Sequence, residues 1–508
     1  MTSLLRNTGL ALLCAFAVIV TVVIVRTITV SVRNDDVMEC KPYDSDFIQA
    51  DSGLLDRFRT ALQFRTITQE TGHSSHEELT KFRKFVEDAY PRVHSSPLVK
   101  YEVVGGYSLL YTIEGSDETL HPYMLTNHID VVPADPAQWE EPPFSGKLTN
   151  GYIYGRGAID DKHGVMGIYE AVEYLLSTGF RPSRTLYIGF GHDEEGQGNQ
   201  GAKAIGELLK SRGVSDLVFL LDEGLTVIDG VIPGIDVPLG LIGSSEKGQV
   251  ILELSTESPG GHSSMPTKET CIGILARAVS RLEENPHPSM FGRGPEKATF
   301  EHIANKMSLP HQVLMTNLWL FGPLVSWFLS LKPSTNAVVR TVSSITKFNA
   351  GVKDNVLATK ATAVVNHRIH PAQTVQEVID YDRKIINDDR VKIRVKYSLE
   401  PLPISPVGNE DFGYQTIKNS IRQVFPVAAV APSVMIGNTD TRHYTDLTPN
   451  IYRFSPTYNY PEDLPRFHGN NERISIKNYE QAVNFYYHLI RNADKASLSP
   501  QHKHSEEL

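Results

Sequence analysis

Histidine and acidic side chains gather in five short segments of this 508-residue sequence. The segments are Thr126-Asn127-His128-Ile129-Asp130, Asp160-Asp161, Gly191-His192-Asp193-Glu194-Glu195, Asp222-Glu223 and His468-Gly469-Asn470-Asn471-Glu472. Imidazole and carboxylate groups are the ligands of catalytic zinc, where three protein ligands leave one position open for water. Two histidines and three carboxylates are enough for two zinc ions. If the ions share one carboxylate, each ion has three protein ligands. The segments together predict a pair of zinc ions.

Each segment taken alone has a more ordinary interpretation. Asp160-Asp161 precedes a predicted helix, and an aspartate at that position commonly serves as an N-cap. Glu194-Glu195 also fits a solvated turn. Asp130 lies two residues after His128, on the same side of an extended chain, where a carboxylate can orient a histidine ligand. Four of the segments lie beside predicted strand ends, and the fifth precedes the final predicted helix; their joint occurrence favours the metal site.

The elements that must position these side chains alternate along the sequence. Hydrophobic patterns predict strands at 107–113, 122–126, 185–190 and 217–221, and helices at 50–65, 164–177, 200–212 and 476–491. This alternation is typical of an α/β fold with a mostly parallel sheet covered by helices on both faces. Ligands bind beyond the carboxyl ends of the strands in such sheets. The fold therefore brings the histidines and acids to one edge.

A smaller unit interrupts this alternation, and we expect an inserted α+β lid domain over residues 246–402. Its predicted strands are 249–256, 360–370 and 391–398, and its predicted helices are 269–283 and 373–388. The catalytic domain then consists of residues 45–245 and 403–495, with a flexible tail at 496–508. Residues 288–345 are the least regular part. They include Leu318–Leu331, an apolar run too short and too broken by Gly and Pro to span a membrane.

Charge and composition restrict the class of protein. The net charge of −10 argues against a nucleic-acid binder, which normally shows a basic face. The three cysteines, Cys14, Cys40 and Cys271, cannot form a disulfide framework. Residues 10–25 are almost wholly apolar and follow Arg6, which fits either a signal peptide or an uncleaved signal anchor within residues 1–31. We expect a secreted protein, with a membrane-tethered form as the alternative.

In order and spacing, the five segments resemble those of the co-catalytic dizinc metallopeptidase family of carboxypeptidases, aminoacylases and carnosine-type dipeptidases. The resemblance implies a dizinc exopeptidase fold. It further implies that His128 and Asp222 bind one zinc ion, that Glu195 and His468 bind the other, and that Asp160 bridges the two.

The same resemblance assigns further roles. Asp130 would orient His128, Glu194 would be the general base, and the peptide bond between Asp160 and Asp161 would be cis. In the inserted domain, three residues match the family: His262, which would stabilise the oxyanion, and Arg368 and Asn355, which would bind the substrate. The family often supplies the histidine across a dimer interface, which implies a homodimer through the inserted domain, but some relatives act as monomers with a longer insert, and the additional segment 288–345 leaves both states open. On the sequence alone, Asn355 could instead cap a turn and Arg368 could be an ordinary surface residue.

The expected activity is a zinc-dependent amide hydrolysis. The stretches Ser245-Glu246-Lys247-Gly248 and Gly437-Asn438-Thr439-Asp440 are similar to a branch of the family that hydrolyses, and in reverse synthesises, N-fatty-acyl amino acids. The resemblance thus implies small-molecule substrates: N-acyl amino acids, fatty acids and free amino acids. The alternatives are a short-acyl aminoacylase, a dipeptidase or carboxypeptidase of the same family, and an inactive binding protein on the same fold.

The apolar run Leu318–Leu331 leaves three interpretations open. It contains Trp319 and Trp327, and it could line a fatty-acyl tunnel, contact a lipid or lipoprotein surface, or pack in the core of the insert.

Overall fold

The computed structural model describes residues 2–33, 46–69, 74–232, 235 and 237–495. Within them the α-helices are α1 (Thr2–Arg33), α2 (Ser52–Ala61), α3 (His76–Ala89), α4 (Pro91–Ser95), α5 (Lys162–Ser177), α6 (Ala202–Ser211), α7 (Cys271–Glu284), α8 (Glu296–Ile303), α9 (Leu309–Thr316), α10 (Leu318–Leu329), α11 (Pro333–Val339), α12 (Val375–Ile386), α13 (Phe412–Val424) and α14 (Ile476–Ala493). The predicted tail at 496–508 and Cys40 lie outside the described residues.

The strands of the same ranges are β1 (Val99–Val104), β2 (Ser108–Ile113), β3 (Tyr123–His128), β4 (Lys147–Thr149), β5 (Tyr152–Tyr154), β6 (Leu186–Gly191), β7 (Leu220–Ile228), β8 (Leu239–Glu246), β9 (Gly248–Glu257), β10 (Gly261–His262), β11 (Val342–Ala350), β12 (Val356–Leu357), β13 (Lys360–Ile369), β14 (Lys392–Leu399), β15 (Ala429–Met435), β16 (Ile451–Asn459) and β17 (Arg473–Ser475).

The predicted α/β architecture is confirmed by a mixed, mostly parallel central sheet. Its order is β1-β2-β6-β3-β7-β16-β8-β15, and β3 runs parallel to both β6 and β7. Strands β2 and β3 are buried at every position because helices cover both faces of the sheet. In the β3–β6 pair, His128 lies opposite Gly191, so the chain leaves both strands at the same edge. The segments that begin at residues 128 and 191 are therefore neighbours.

A second, antiparallel sheet has the order β11-β13-β9-β14 and holds the predicted insert strands. Side chains of β9 and β13 alternate between buried and half-buried positions, as expected for a sheet with one face against helices. Helices α7 and α12 cover that face and share a hydrophobic core with it. This core is distinct from the large core of the main sheet. The separation supports our proposed division of the chain near residues 246 and 402.

The stretch 288–345, which has little regular pattern in the sequence, contains four short helices, α8 to α11. Each is short, and Pro323 lies inside α10, so no helical periodicity extends far enough to be recognised. Together with residues of β8 and β15, these helices form a third hydrophobic cluster. Several large side chains of α10 nevertheless remain exposed, among them Trp319, Leu324, Trp327 and Phe328.

Helix α1 is apolar around its whole circumference and exposed over most of its length. Among the described residues it is long and apolar enough to cross a membrane, and the bent pair α9–α10 passes the same test if it is counted as one span. A signal sequence and a signal anchor both fit α1. Near its C-terminal end, the Thr27 hydroxyl lies 3.1 Å from that of Thr316, and the Asn317 amide donates to Thr27 Oγ1 at 3.0 Å. Polar contacts thus join α1 to the α9–α10 pair.

Candidate metal centre

Asp160 lies at the middle of the candidate site, between two histidines that are far apart in the chain. Its Oδ1 is 3.1 Å from His128 Nε2, and its Oδ2 is 3.0 Å from His468 Nε2. His128 is the last residue of β3, whereas His468 lies in a loop and has a positive φ of 55°. The structure therefore brings the predicted bridging carboxylate between the two predicted histidine ligands. The peptide bond between Asp160 and Asp161 is cis, which confirms that expectation.

A second carboxylate lies beside each histidine. Glu195 Oε1 is 3.2 Å from His468 Nε2, and Glu195 belongs to a short 3₁₀ turn directly after β6. Glu223 Oε1 is 3.4 Å from His128 Nε2. Each histidine thus shares Asp160 and has one carboxylate of its own, which is the arrangement expected for two ions with one bridging ligand.

The residue beside His128 differs from the prediction, which named Asp222. The structure gives Asp222 no contact with His128. Its Oδ1 accepts a hydrogen bond from the main-chain N–H of Glu223 at 2.9 Å, and its buried Oδ2 has no hydrogen-bond partner among the described residues. Neighbouring side chains of an extended strand point to opposite faces, so only one of these two acids can face the histidine. That residue is Glu223. A pair of adjacent acids at a strand end gives no indication of which one faces the site.

Burial makes this group of acids electrostatically unfavourable without a cation. Burial raises the pKa of Glu195 to about 7, and it also raises the pKa of Glu223, to which the charge of Asp160 adds. Burial opposes ionisation of Asp160 as well, but contacts with His128 and His468 hold the pKa of Asp160 well below its usual range. Contacts with Asp160 and Glu195 raise the pKa of His468 to about 10. These carboxylates attract positive charge strongly, so the donor set fits divalent ions.

One further observation supports the fit. Glu195 Oε1 is buried and has no hydrogen-bond partner within the part of the chain that the structure describes, although His468 Nε2 is close to it. A buried carboxylate oxygen without a partner is costly. Metal coordination would satisfy it.

Asp130 positions both a histidine and the acidic turn. Its main-chain carbonyl lies 2.9 Å from His128 Nδ1, and its carboxylate accepts hydrogen bonds from the main-chain N–H groups of Glu194 and Glu195 at 3.1 and 3.2 Å. The Asp130 carboxylate itself is 3.4 Å from His128 Nδ1. Asp130 therefore contacts the histidine mainly through its backbone, while its side chain fixes the turn that carries Glu194.

A buried ion pair joins the loop of Asp160 to the loop of His468. Arg156 Nη1 lies 2.6 Å from Glu472 Oε2, and Arg156 Nη2 donates to the carbonyl oxygens of His468 and Gly469. Glu472 Oε1 accepts from the main-chain N–H groups of Gly157, Ile159 and Asp160, at 3.1, 2.8 and 3.2 Å. We did not identify Arg156 or Glu472 as site residues from the sequence, because nothing local to either residue indicates the partner.

Glu194, the predicted general base, lies next to the metal-binding group. Its side chain is largely buried, and burial raises its pKa well above the usual value. Arg442 Nη2 lies 3.7 Å from Glu194 Oε1, and Arg442 is itself largely buried. No local pattern around Arg442 indicates this contact, because the 3₁₀ turn Asp440–His443 brings its side chain to Glu194 only in the folded chain.

Arg368 reaches the catalytic part of the molecule from the inserted sheet. Its Nη1 donates to Asn438 Oδ1, and Asn438 Nδ2 donates to Glu246 Oε1 at 2.9 Å. Glu246 is fully buried and also accepts from Thr439 and from Arg453 Nε. A chain of buried polar contacts therefore holds the guanidinium that was predicted to bind the substrate.

The other two predicted residues of the insert do not join this cluster within a single chain. His262 is exposed on β10, and its Nδ1 lies 2.7 Å from Ser264 Oγ. Asn355 is also exposed and accepts from the Ser263 N–H through its carbonyl. The pairing of β10 with β12 places the two residues side by side.

Comparisons with known proteins agree with this geometry. The family model described as peptidase family M20/M25/M40 matches residues 124–492. N-fatty-acyl-amino acid synthase/hydrolase PM20D1.1 of Danio rerio is 49% identical over 493 residues, covering 96% of this chain and 95% of that protein. The crystal structure of the M20 family metallo-carboxypeptidase Sso-CP2 from Sulfolobus solfataricus superposes with a TM-score of 0.61 at 18% identity, covering 87% of this chain and 99% of that one. Bacillus subtilis YXEP, a dinuclear metal-binding peptidase of the same family, superposes with a TM-score of 0.52 at 14% identity, covering 87% and 98%.

Glu223→Gln and Asp222→Asn form a matched pair that tests which acid is the ligand. We expect Glu223→Gln to weaken zinc binding by more than the roughly 10–100-fold seen when only an outer-shell partner is lost, because an amide is a poorer ligand than a carboxylate. Asp222→Asn should keep most of the affinity. Chelator competition and metal content of the purified variants measure both effects. The reverse ranking would restore Asp222 as the ligand.

Proposed function

Because the chain belongs to the peptidase family M20/M25/M40, whose members are metal-dependent hydrolases of amide bonds, we propose that it hydrolyses N-fatty-acyl amino acids and forms them in reverse. The observation that carries the proposal is the meeting of His128, Asp160, Glu195, Glu223 and His468 at one edge of the main sheet, beside Glu194. The 49% identity to a named N-fatty-acyl-amino acid synthase/hydrolase supports the substrate class.

Two zinc ions fit the ligand groups. His128 and Glu223 would hold one ion, His468 and Glu195 the other, and Asp160 both. When bound, the pair would polarise the amide carbonyl and lower the pKa of the attacking water towards about 7.

Glu194 is the group placed to move the proton. It accepts a proton from the attacking water and then gives it to the nitrogen of the leaving amino acid. A raised pKa suits a carboxylate that must both take and return a proton, and burial in this site raises that of Glu194. In the reverse direction, the same carboxylate takes a proton from the attacking amine and delivers it to the departing water.

Arg368 would bind the carboxylate of the amino-acid half of the substrate. A guanidinium binds a carboxylate through two parallel hydrogen bonds, and the contact with Asn438 holds it in place. His262 and Asn355, exposed on the β10–β12 pair, would complete the substrate site of a partner subunit in a homodimer. Their exposure and their absence from the cluster of the same chain support that arrangement.

The α1 helix supports entry into the secretory pathway, either as a cleaved signal peptide that yields a secreted protein or as an anchor. The exposed apolar side chains of α10 would contact a lipid or lipoprotein surface from which fatty-acyl substrates are drawn. The polar contacts of α1 with Thr316 and Asn317 join it to the end of α9 and to the residue that precedes α10, which supports this proposal.

Glu194→Gln should lower kcat by about 10²–10⁴-fold, because the amide cannot accept the proton of the attacking water. Zinc content should stay at the wild-type value, since Glu194 is not among the proposed ligands. The control is Glu207→Gln, a change of the same type at an exposed position of α6 that should leave kcat unaltered. Steady-state hydrolysis of oleoyl-phenylalanine together with metal analysis of each variant makes the measurement. Wild-type turnover by Glu194→Gln would exclude Glu194 as the base.

A substrate panel tests the long acyl chain. We expect kcat/KM for oleoyl-phenylalanine to exceed that for acetyl-phenylalanine and for a dipeptide, because each buried methylene contributes about 0.8 kcal/mol before ordering costs. Equal or higher activity on acetyl-phenylalanine would favour a short-acyl aminoacylase, and a preference for the dipeptide would favour a peptidase. Activity on none of the three, with zinc bound, would favour an inactive binding protein.

Brominated lipids test the lipid contact of α10. Trp319 and Trp327 are 51% and 60% exposed, whereas Trp139 is 9% exposed and serves as an internal reference. In vesicles that contain brominated phosphatidylcholine, we expect the fluorescence of the full chain to be quenched in part, and the Trp319→Phe/Trp327→Phe variant to lose that quenched part. Identical quenching of the variant and the wild type would contradict contact between α10 and lipid.

A further inference from the structure

A second group of metal-type ligands lies in the inserted sheet and takes no part in the proposed reaction. His287 follows α7, His367 is on β13, and Asp382 is on α12. His287 Nε2 is 3.2 Å from Asp382 Oδ1, and His367 Nε2 is 2.9 Å from Asp382 Oδ2. All three side chains are at least 98% buried, with exposures of 2%, 0% and 1%. Two imidazoles from separate elements therefore face one carboxylate in the interior.

These contacts are short, but their angles are poor for hydrogen bonds. Among the residues that the structure describes, neither Nε2 atom and neither oxygen of Asp382 has a hydrogen-bond partner. The N–H directions of the rings therefore do not point at the oxygens, despite separations of 2.9 and 3.2 Å. When several ligands surround one ion, their nitrogen and oxygen atoms lie close together but point at the ion and not at each other. The contacts of His287 and His367 with Asp382 have this geometry.

Part of the catalytic site shows the same pattern, although His128 Nε2 and Asp160 Oδ1 form an aligned hydrogen bond at 3.1 Å. His468 Nε2 lies 3.0 Å from Asp160 and 3.2 Å from Glu195, and Glu195 Oε1 has no hydrogen-bond partner among the residues that the structure describes. The ligand atoms of His287, His367 and Asp382 all lie within 4.8 Å of one another, as do those of His128, Asp160 and Glu195. Two clusters of side chains thus have the same spacing between ligand atoms. One of them is the candidate metal centre of a chain whose family includes a dinuclear metal-binding peptidase.

An ordinary buried histidine of this chain looks different. His488 is fully buried, and its Nε2 makes hydrogen bonds of 3.0 Å to both oxygens of the half-buried Asp46. That contact is aligned and involves a single histidine. The contrast shows that a buried histidine beside a carboxylate need not adopt the unaligned geometry of the inserted sheet.

The surroundings also suit a metal ligand set. The Nδ1 of His367 lies 2.8 Å from Ser343 Oγ, a contact that fixes the ring and leaves Nε2 for coordination. The ring of Tyr381 packs against that of His287, with centroids 4.5 Å apart. Within the described ranges, Asp382 has no ion pair with a lysine or arginine, so its buried charge has only the two imidazoles beside it.

We propose that His287, His367 and Asp382 bind a divalent cation of the zinc type, at a site separate from the catalytic pair. Two imidazole nitrogens and two carboxylate oxygens supply four donor atoms of the kinds that zinc accepts. The ion would join the segment after α7, strand β13 and helix α12. Because no residue of the site reaches the catalytic group, its role is structural.

Metal analysis of the full-length protein tests the proposal. Inductively coupled plasma mass spectrometry should find one fewer zinc equivalent per chain in Asp382→Asn and in His367→Gln than in the wild type. Asp46→Asn, which removes the carboxylate partner of the buried His488, is the matched control and should keep the wild-type content. Equal zinc content in the wild type and in a folded Asp382→Asn or His367→Gln variant would overturn the proposal and leave a buried histidine–aspartate cluster.

A second variant keeps the test decisive if the substitutions at Asp382 and His367 prevent folding. Asp160→Asn/His468→Ala removes the shared ligand and one histidine of the catalytic group but leaves the inserted sheet intact. After dialysis against a mild chelator, this chain should retain one tightly bound zinc equivalent, and its Co²⁺-substituted form should show the absorption of a tetrahedral site. A folded chain that retains no metal and gives no such absorption would exclude the site, whatever the outcome for the catalytic pair.

Discussion

The structure depends on how a cluster of buried carboxylates is neutralised. Asp160, Asp161, Glu195 and Glu223 lie together at the carboxyl edge of the main sheet, and burial raises the pKa of the last three. Buried charges of one sign repel each other and lose their hydration, so such a group persists only with compensating positive charge. His128, His468 and Arg442 supply part of it. Two divalent cations would supply the rest, and the site is therefore better understood as a cation-binding cavity than as a set of separate catalytic acids.

Bringing the histidines together requires long-range contacts that lie just outside the ligand groups. The pair Arg156–Glu472 does most of this, because each partner also binds the backbone of the other loop: Arg156 holds the carbonyl of His468, and Glu472 holds the N–H of Asp160. Asp130 has the same function for the acidic turn. These three residues fix ligand positions through main-chain groups, which are stiffer than side chains. A proposed metal ligand can then be exposed to solvent, as His468 is, without losing its geometry.

The sequence predicted the site at the level of segments rather than of atoms. The meeting of His128, Asp160 and Glu195 could be foreseen, because the carboxyl ends of parallel strands lie at one edge of the sheet. The role of His468, which lies in a loop, was implied only by the family resemblance. Glu223 could not be distinguished from Asp222, since the choice depends on which face of β7 turns towards the histidine. Arg156 and Glu472 could not be paired, because they are joined only by the tertiary fold. The helices α8 to α11 were missed for a different reason: their apolar faces pack against one another and against β8 and β15, so their sequence is apolar without a clear period.

Strand β13 of the inserted sheet carries both His367 of the buried histidine–aspartate group and Arg368, the residue proposed to bind the substrate. On β13, His367 and Arg368 are consecutive, so they point to opposite faces of the strand. His367 faces the helices of the insert with Asp382, whereas Arg368 reaches across to Asn438 and through it to Glu246. Any displacement of β13 would therefore move the guanidinium proposed to bind the substrate carboxylate. Because a bidentate contact tolerates little displacement, the buried groups behind β13 would contribute to substrate recognition through the proposed role of Arg368, without contacting the substrate themselves.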